Sequence, residues 1–140
     1  MLILGIDPGA NTGIATFVDG ALVELETIEP HRLAALIRSR GAQRVIFEDS
    51  RLESFSWTTV KSRSAALKMA RNVGEVDAWC KLISGTCLDL GVPAHGISPK
   101  AKGAKVNAEQ FAKLTGWAGL SNGHTRDAAM VAWSYRRAGA

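Results

Sequence analysis

Ile6-Asp7-Pro8-Gly9-Ala10-Asn11-Thr12-Gly13 follows directly on the apolar stretch Leu2 to Ile6. An apolar strand that ends in Asp and then turns sharply puts one carboxylate at the edge of a sheet. A second apolar strand, Val45-Ile46-Phe47, ends in Glu48-Asp49. A third acid, Asp127, stands in His124-Thr125-Arg126-Asp127, where a C-terminal helix should begin. Three acids at the ends of three elements, far apart in sequence, can converge on a divalent metal. On a small basic domain such a set points to metal-dependent cutting of nucleic acid.

The chain has 140 residues, enough for one domain with a proper hydrophobic core, and its apolar content is ordinary for a globular protein. No apolar run approaches the ~20 residues of a membrane helix, so no membrane association is expected. The N-terminus reads straight into a strand, without the charged and apolar segments of a signal peptide, and cytoplasmic residence is the expectation. Cys80 and Cys87 are seven apart on one helix, or about 10 Å along its axis. That is too far for a disulfide, and both read as reduced, buried side chains.

The net charge is +4, unevenly spread: residues 1–50 carry four Lys/Arg against seven Asp/Glu, and residues 51–140 carry thirteen against six. A basic surface beside acidic metal ligands suits a polyanionic substrate, the cations meeting phosphates while the acids hold metal.

Along the chain, Leu2–Asp7, Gly13–Val18 and Ala21–Ile28 read as strands, the last two joined by the hairpin signal Asp19-Gly20. Pro30 opens a helix to about Arg40, which Gly41 terminates. Arg44–Glu48 has the apolar middle of a central parallel strand. A polar loop, 49–62, precedes a long helix from Arg63 to about Asp89, broken by Gly91-Val92-Pro93. Ala94–Ser98 is a short fifth strand, Pro99–Lys105 a basic loop, Val106–Leu114 a helix, and His124–Ala138 the last helix. The order β-β-β-α-β-α-β-α-α, without repeats or linkers, predicts an α/β sheet with a hairpin at one side and helices over its faces.

In such a sheet the first and fourth strands lie parallel and adjacent, and their carboxyl ends share the edge where α/β proteins build sites. Asp7 and Glu48, each the last residue of its strand, can then face each other. Two carboxylates that close are costly to ionise without a cation. Magnesium offsets this, taking a few carboxylate oxygens, several waters and phosphate oxygens. Asp127 alone would be an ordinary helix-start acid interacting with the macrodipole, but with the other two it supplies a third ligand. His124, three residues earlier, can point the same way. It is a candidate metal ligand, a candidate holder of the attacking water, or a solvated loop histidine.

These residues resemble a known family. Ile6-Asp7-Pro8-Gly9 with Thr12-Gly13, Phe47-Glu48-Asp49-Ser50, Ser64-Ala65-Ala66-Leu67-Lys68 leading to Gly74, and His124-x-x-Asp127-Ala128-x-x-x-Ala132 are similar to the RuvC family of Holliday-junction resolvases, within the RNase H-like superfamily. The resemblance runs from residue 1 to about 135. It implies an RNase H-like mixed five-stranded sheet, the first three strands antiparallel and the fourth and fifth parallel, with helices on both faces. Residues 1–140 would form a single nuclease domain.

The resemblance also implies metal-dependent cutting of four-way DNA junctions by a homodimer that nicks two strands symmetrically. The family's acids map onto Asp7, Glu48 and Asp127, and the position of His124 is an acid in some members and a histidine in others. Its basic residues correspond best to Lys100 and Lys105, with Lys102 as a rival. Two Mg2+ ions about 3.5–4 Å apart, with Mn2+ as an alternative, would stabilise the attacking and leaving oxygens of an in-line hydrolysis. Asp7 would bridge both, Glu48 hold one, and Asp127 with His124 the other, while Lys105 neutralises phosphate. The chain departs from the family in being shorter than cellular members, in a compressed Ser98–Lys105 segment and in its loop after Glu48. Compactness of this kind suits a virus-encoded protein acting in the host-cell cytoplasm; a cellular one would work at the nucleoid.

Phe55 and Trp57 sit in the loop after Glu48. The family inserts an aromatic from this loop, and stacking on unpaired bases contributes about 1–3 kcal/mol each. The alternative is satellite core packing. Lys61 and Arg63 complete the DNA-binding set with Lys100, Lys102 and Lys105.

In the long helix, Ala66, Met69, Val73, Val76, Cys80, Ile83, Cys87 and Leu90 alternate by three and four. That seam serves either a partner helix, as the family implies, or the chain's own sheet. The rival readings are an RNase H-like nuclease acting on flaps, other branched DNA or RNA–DNA hybrids, and a junction-binding protein without catalysis. Sugar kinases and actin-like ATPases also open on a strand, an Asp-x-Gly turn and a hairpin. They need two such domains to enclose a nucleotide.

Overall fold

A computed structural model describes residues 1–53 and 62–137. Five strands form one mixed sheet: β1 (Leu2–Asp7), β2 (Thr12–Val18), β3 (Ala21–Ile28), β4 (Arg44–Glu48) and β5 (Ala94–Ile97), in the order β3-β2-β1-β4-β5. The first three pair antiparallel, while β4 runs parallel to β1 and to β5, as the sequence predicts. Among the described residues, four α-helices are interleaved with the strands: α1 (Leu33–Arg40), α2 (Arg63–Leu90), α3 (Ala108–Thr115) and α4 (Gly123–Trp133). Asp19 and Gly20 both take positive φ, 51° and 84°, the backbone that a tight turn between β2 and β3 requires.

The period-2 pleat divides the sheet's side chains between two cores. Leu4, Ile6, Ile14, Val45 and Phe47 pack against Leu33, Leu36 and Ile37 of α1 and Cys80, Ile83 and Cys87 of α2. Ile3, Ala15, Phe17 and Ile46 pack on the opposite face against Phe111 of α3 and Ala128, Ala129 and Ala132 of α4. Burying side chains of this size contributes about 1.5–3 kcal/mol each, so helices on both faces are the direct result of strands apolar on both faces.

The α4 face is built of small residues. A Cβ on Gly5 would strike the Ala128 carbonyl, and the methyl of Ala132 lies beside it. A Cβ on Gly13 would strike the His124 carbonyl. With no side chain at either glycine, α4 rests directly on β1 and β2.

Helix boundaries differ from the sequence reading in α3 and α4. The last helix starts at Gly123, because Asn122 caps it in a reciprocal capping box with Thr125. It ends at Trp133 rather than running to Ala138. The Arg136 guanidinium stacks 3.6 Å over the Trp133 ring and donates to Gly20 O, turning the chain back onto the β2–β3 hairpin. Likewise α3 begins at Ala108, where Asn107 and Gln110 form a second capping box.

The seam read along α2 divides. Cys80, Ile83 and Cys87 cover the protein's own sheet, with Val76, Trp79 and Leu82 partly buried beside them. Leu67 and Met69, nearer its start, are about half exposed at 51% and 45%. Both cysteines are free and buried, as expected. Among the described residues, no helix is long and apolar enough to cross a membrane.

Candidate active site

The site lies at the carboxyl ends of β1 and β4. Ile6 pairs with Phe47 across the parallel strands, so the next residues, Asp7 and Glu48, end neighbouring strands about 4.8 Å apart. Pleat alternation gives them a common face. Ile3 and Gly5 lie under α4, and Asp7 continues that row; Ile46 lies there too, and Glu48 continues its row. Both carboxylates therefore belong to the α4 face, each partly exposed.

The turn after Asp7 is pinned locally. The Thr12 hydroxyl donates to Gly9 O at 2.7 Å, and the Gly9 N–H donates back to Thr12 Oγ1 at 3.3 Å. Asp7 also pairs across the hairpin with Gly13, the glycine on which His124 rests. The capping box at Asn122 starts α4 at this point, and Asn122 Nδ2 reaches Thr27 Oγ1 of β3 at 3.0 Å. Asp127, one turn into α4, is thereby brought over the edge that carries Asp7; its side chain is 12% exposed. His124 is exposed on the first turn.

Lys105 reaches in from the segment before α3, its Nζ 3.3 Å from Asp127 Oδ2. Arg126 anchors that segment: its Nε donates to Val106 O at 3.2 Å and its Nη1 to Ser121 Oγ at 3.0 Å. Lys100 is exposed in a short 3-10 turn over Pro99–Lys102, within the stretch read as a basic loop, and Lys102 ends that turn. Arg63 is exposed at the first turn of α2. Phe55, Trp57 and Lys61 lie outside the described residues.

The donor set is all carboxylate oxygen, apart from His124, which suits a hard divalent cation. It is not a closed cage: among the described residues no three His, Cys, Asp or Glu groups gather tightly enough to hold an ion by themselves. The four-residue cluster read from the sequence is thus present as an edge and not as an assembled centre, with Asp127 engaging Lys105. Mg2+ chemistry is compatible with such an edge, since this ion keeps several waters and completes its shell with substrate phosphate oxygens.

Asp49 is placed apart from this set. It is buried, and Arg51 donates to it from Nε and Nη2, both at 2.8 Å. The Arg51 side chain holds the Asp49 carboxyl below the usual carboxylate range, against the opposing effect of burial. Although Asp49 is adjacent to Glu48 in sequence, it faces α2 and not the shared edge. Gly5, the Asn122 cap and the Asp49–Arg51 pair were not singled out from sequence as parts of a site, and Gly13 was quoted only within the motif of the resemblance. Gly5 inside a strand and Asn122 three residues before Thr125 were the available signals.

No family model and no curated protein matches the chain. Among solved structures it is similar to Thermus thermophilus RuvC in complex with a Holliday junction substrate, with a TM-score of 0.63. The sequences are 17% identical over 96% of this chain and 92% of that one. This likeness shows the fold: a RuvC-like, RNase H-like mixed sheet with helices, as the sequence motifs lead one to expect.

Proposed function

We propose that this protein is a divalent-metal-dependent endonuclease that resolves four-way DNA junctions, cutting two strands symmetrically as a homodimer. One observation carries the reading. Asp7 and Glu48 end adjacent parallel strands on one face, and α4, seated on glycines, brings Asp127 to that face. The RuvC-like fold adds weight, because the similar structure was solved with a Holliday junction. The basic balance of residues 51–140 supplies phosphate contacts.

Asp7, Glu48 and Asp127, with His124, would hold Mg2+ or Mn2+, whose chemistry is to neutralise charge on the phosphodiester oxygens. Lys105, beside Asp127, brings a positive charge to the phosphate and limits repulsion between substrate and carboxylates. His124, exposed on the first turn of α4, would hold a water. Lys61, Arg63, Lys100 and Lys102 contact the DNA arms, and Phe55 or Trp57 stacks on bases at the branch. The exposed start of α2, with Leu67 and Met69, meets a second copy. Residues 1–140 act as a single nuclease domain.

The test is a cleavage assay on a labelled synthetic four-way junction with Mg2+ or Mn2+, against matched duplex, flap and RNA–DNA hybrid. Paired symmetric nicks confined to the junction are expected. Broad cutting of flaps or hybrids would replace the reading with a general structure-selective nuclease. Junction binding without any cutting would leave a binding protein.

A further inference from the structure

The chain immediately after Glu48 is fastened to two other elements. The Asp49 N–H donates to Ile97 O at the end of β5, at 2.8 Å. Its carboxylate accepts from the Arg51 side chain twice and from the Arg51 N–H at 3.1 Å. Arg51 Nη2 also donates to Ser84 Oγ of α2 at 3.1 Å. Ser50 Oγ donates to Asp77 Oδ1 of α2 at 2.6 Å, and the Cys80 thiol donates to Glu48 O at 3.5 Å.

Gly96 completes the seat. A Cβ there would come within 2.5 Å of Asp49 Oδ2 and 2.8 Å of its Cβ, so Asp49 occupies the space a side chain on β5 would fill. Gly96 pairs with Phe47, whose side chain is in the α2 core; Asp49, two residues beyond Phe47, therefore lies on that face. Glu48, between them, is turned to the other face. A strand end held only by its own ladder is free to fray, and its last side chain to rotate. Here the residue after it is locked by a bidentate, charge-assisted pair whose carboxylate is buried and whose guanidinium reaches the surface.

We propose that Asp49, clamped by Arg51 and seated over Gly96, is a positioning residue that holds Glu48 toward the α4 face. The proposal rests on the reading of Glu48 as a metal ligand. It adds that the ligand's direction is set from the opposite side of the sheet, by α2 and β5. Misplacing a reacting group by about 1 Å can cost on the order of 10²-fold in rate, so such a clamp has catalytic consequence without touching substrate.

The experiment compares Asp49→Asn, Arg51→Ala and Arg51→Lys with wild type by three readouts. These are single-turnover junction cleavage across an Mn2+ titration, junction affinity without metal, and amide hydrogen exchange at Asp49 and Arg51. Asp49→Asn is expected to slow cleavage on the order of 10–100-fold and to raise the Mn2+ needed, with faster exchange at both amides. Junction affinity stays unchanged, and Arg51→Lys recovers part of what Arg51→Ala loses. Cleavage at the wild-type rate in Asp49→Asn overturns the proposal, whatever the exchange shows. If the wild type cuts nothing, the functional reading fails. The exchange data then decide the clamp separately: faster exchange keeps it as the device that orients Glu48, and unchanged exchange removes it.

Discussion

A side-chain carbon on Gly13 would collide with the main-chain carbonyl of His124, so the first turn of α4 lies directly on β2. Gly13 is also the cross-strand partner of Asp7. One glycine therefore sets the distance between a strand-end acid and the helix that carries Asp127. Gly13→Ala is expected to push α4 outward, costing about 1–3 kcal/mol by urea unfolding. Cleavage per folded molecule should fall as well. A fully active variant that is merely less stable would show that this spacing does not govern the site.

Asp7 joins the turn to the shared edge, next to Glu48 on the parallel strand. Asp7→Asn keeps the side chain's size and removes its charge. The variant is expected to bind a four-way junction and to leave it uncut. Electrophoretic mobility shift and cleavage, run on the same preparation, check this, and cutting at the wild-type rate would remove Asp7 from the proposed ligand set.

Much of this architecture was legible in the chain, because its signals are local. Alternating or continuous apolar runs bounded by Asp19-Gly20, Gly41 and Gly91 marked the strands of the described sheet and the C-terminal ends of α1 and α2. Asp7 and Glu48 were legible as neighbours once β1 and β4 were read as parallel. What escaped depends on tertiary contact. Nothing in the sequence near Ala138 says that α4 stops at Trp133; that follows from Arg136 reaching Trp133 and Gly20. The three-and-four spacing along α2 could not say which part of the stripe meets the sheet, since a core-facing helix and a coiled-coil seam share that pattern. The direction of Asp49 likewise came from its partners Arg51 and Gly96.

Lys105 contacts Asp127, yet its side chain is 80% exposed. An ion pair so open to water adds only about 0–1 kcal/mol, so its role in stability is small. Lys105→Ala is therefore expected to unfold at the wild-type temperature while cutting the junction more slowly. If it contacts phosphate, the slope of log affinity against log salt should also shrink by about one unit. An unchanged rate and slope would assign Lys105 to the protein surface alone.

The proposed dimer depends on the start of α2, where Leu67 and Met69 are half exposed while Cys80, Ile83 and Cys87 lie under the sheet. Replacing both Leu67 and Met69 by Glu adds two charges to this face without touching the core. Sedimentation is expected to show a dimer for wild type and a monomer for the double variant. Cutting by the monomer should become unpaired, one strand at a time. A wild-type monomer that makes paired nicks would overturn the assignment of this face.

Cys87 sits fully buried between α2 and the sheet, and burial pushes its thiol from the ordinary 9.0 to about 11. The folded protein thus holds this proton more tightly than the unfolded chain does. For a group raised on folding, the linked stability is complete below the unfolded value and is lost as pH climbs through the folded one. The window is therefore pH 9 to about 11. Subtracting the pH profile of Cys87→Ala isolates this contribution from other groups that titrate there. The wild-type advantage over the variant is expected to narrow across that window. At pH 8 the same burial should keep Cys87 unmodified by iodoacetamide until the protein is unfolded in urea. Prompt labelling of the folded protein, read by mass spectrometry of the Cys87 peptide, would show that α2 opens from the sheet far more readily than its packing implies.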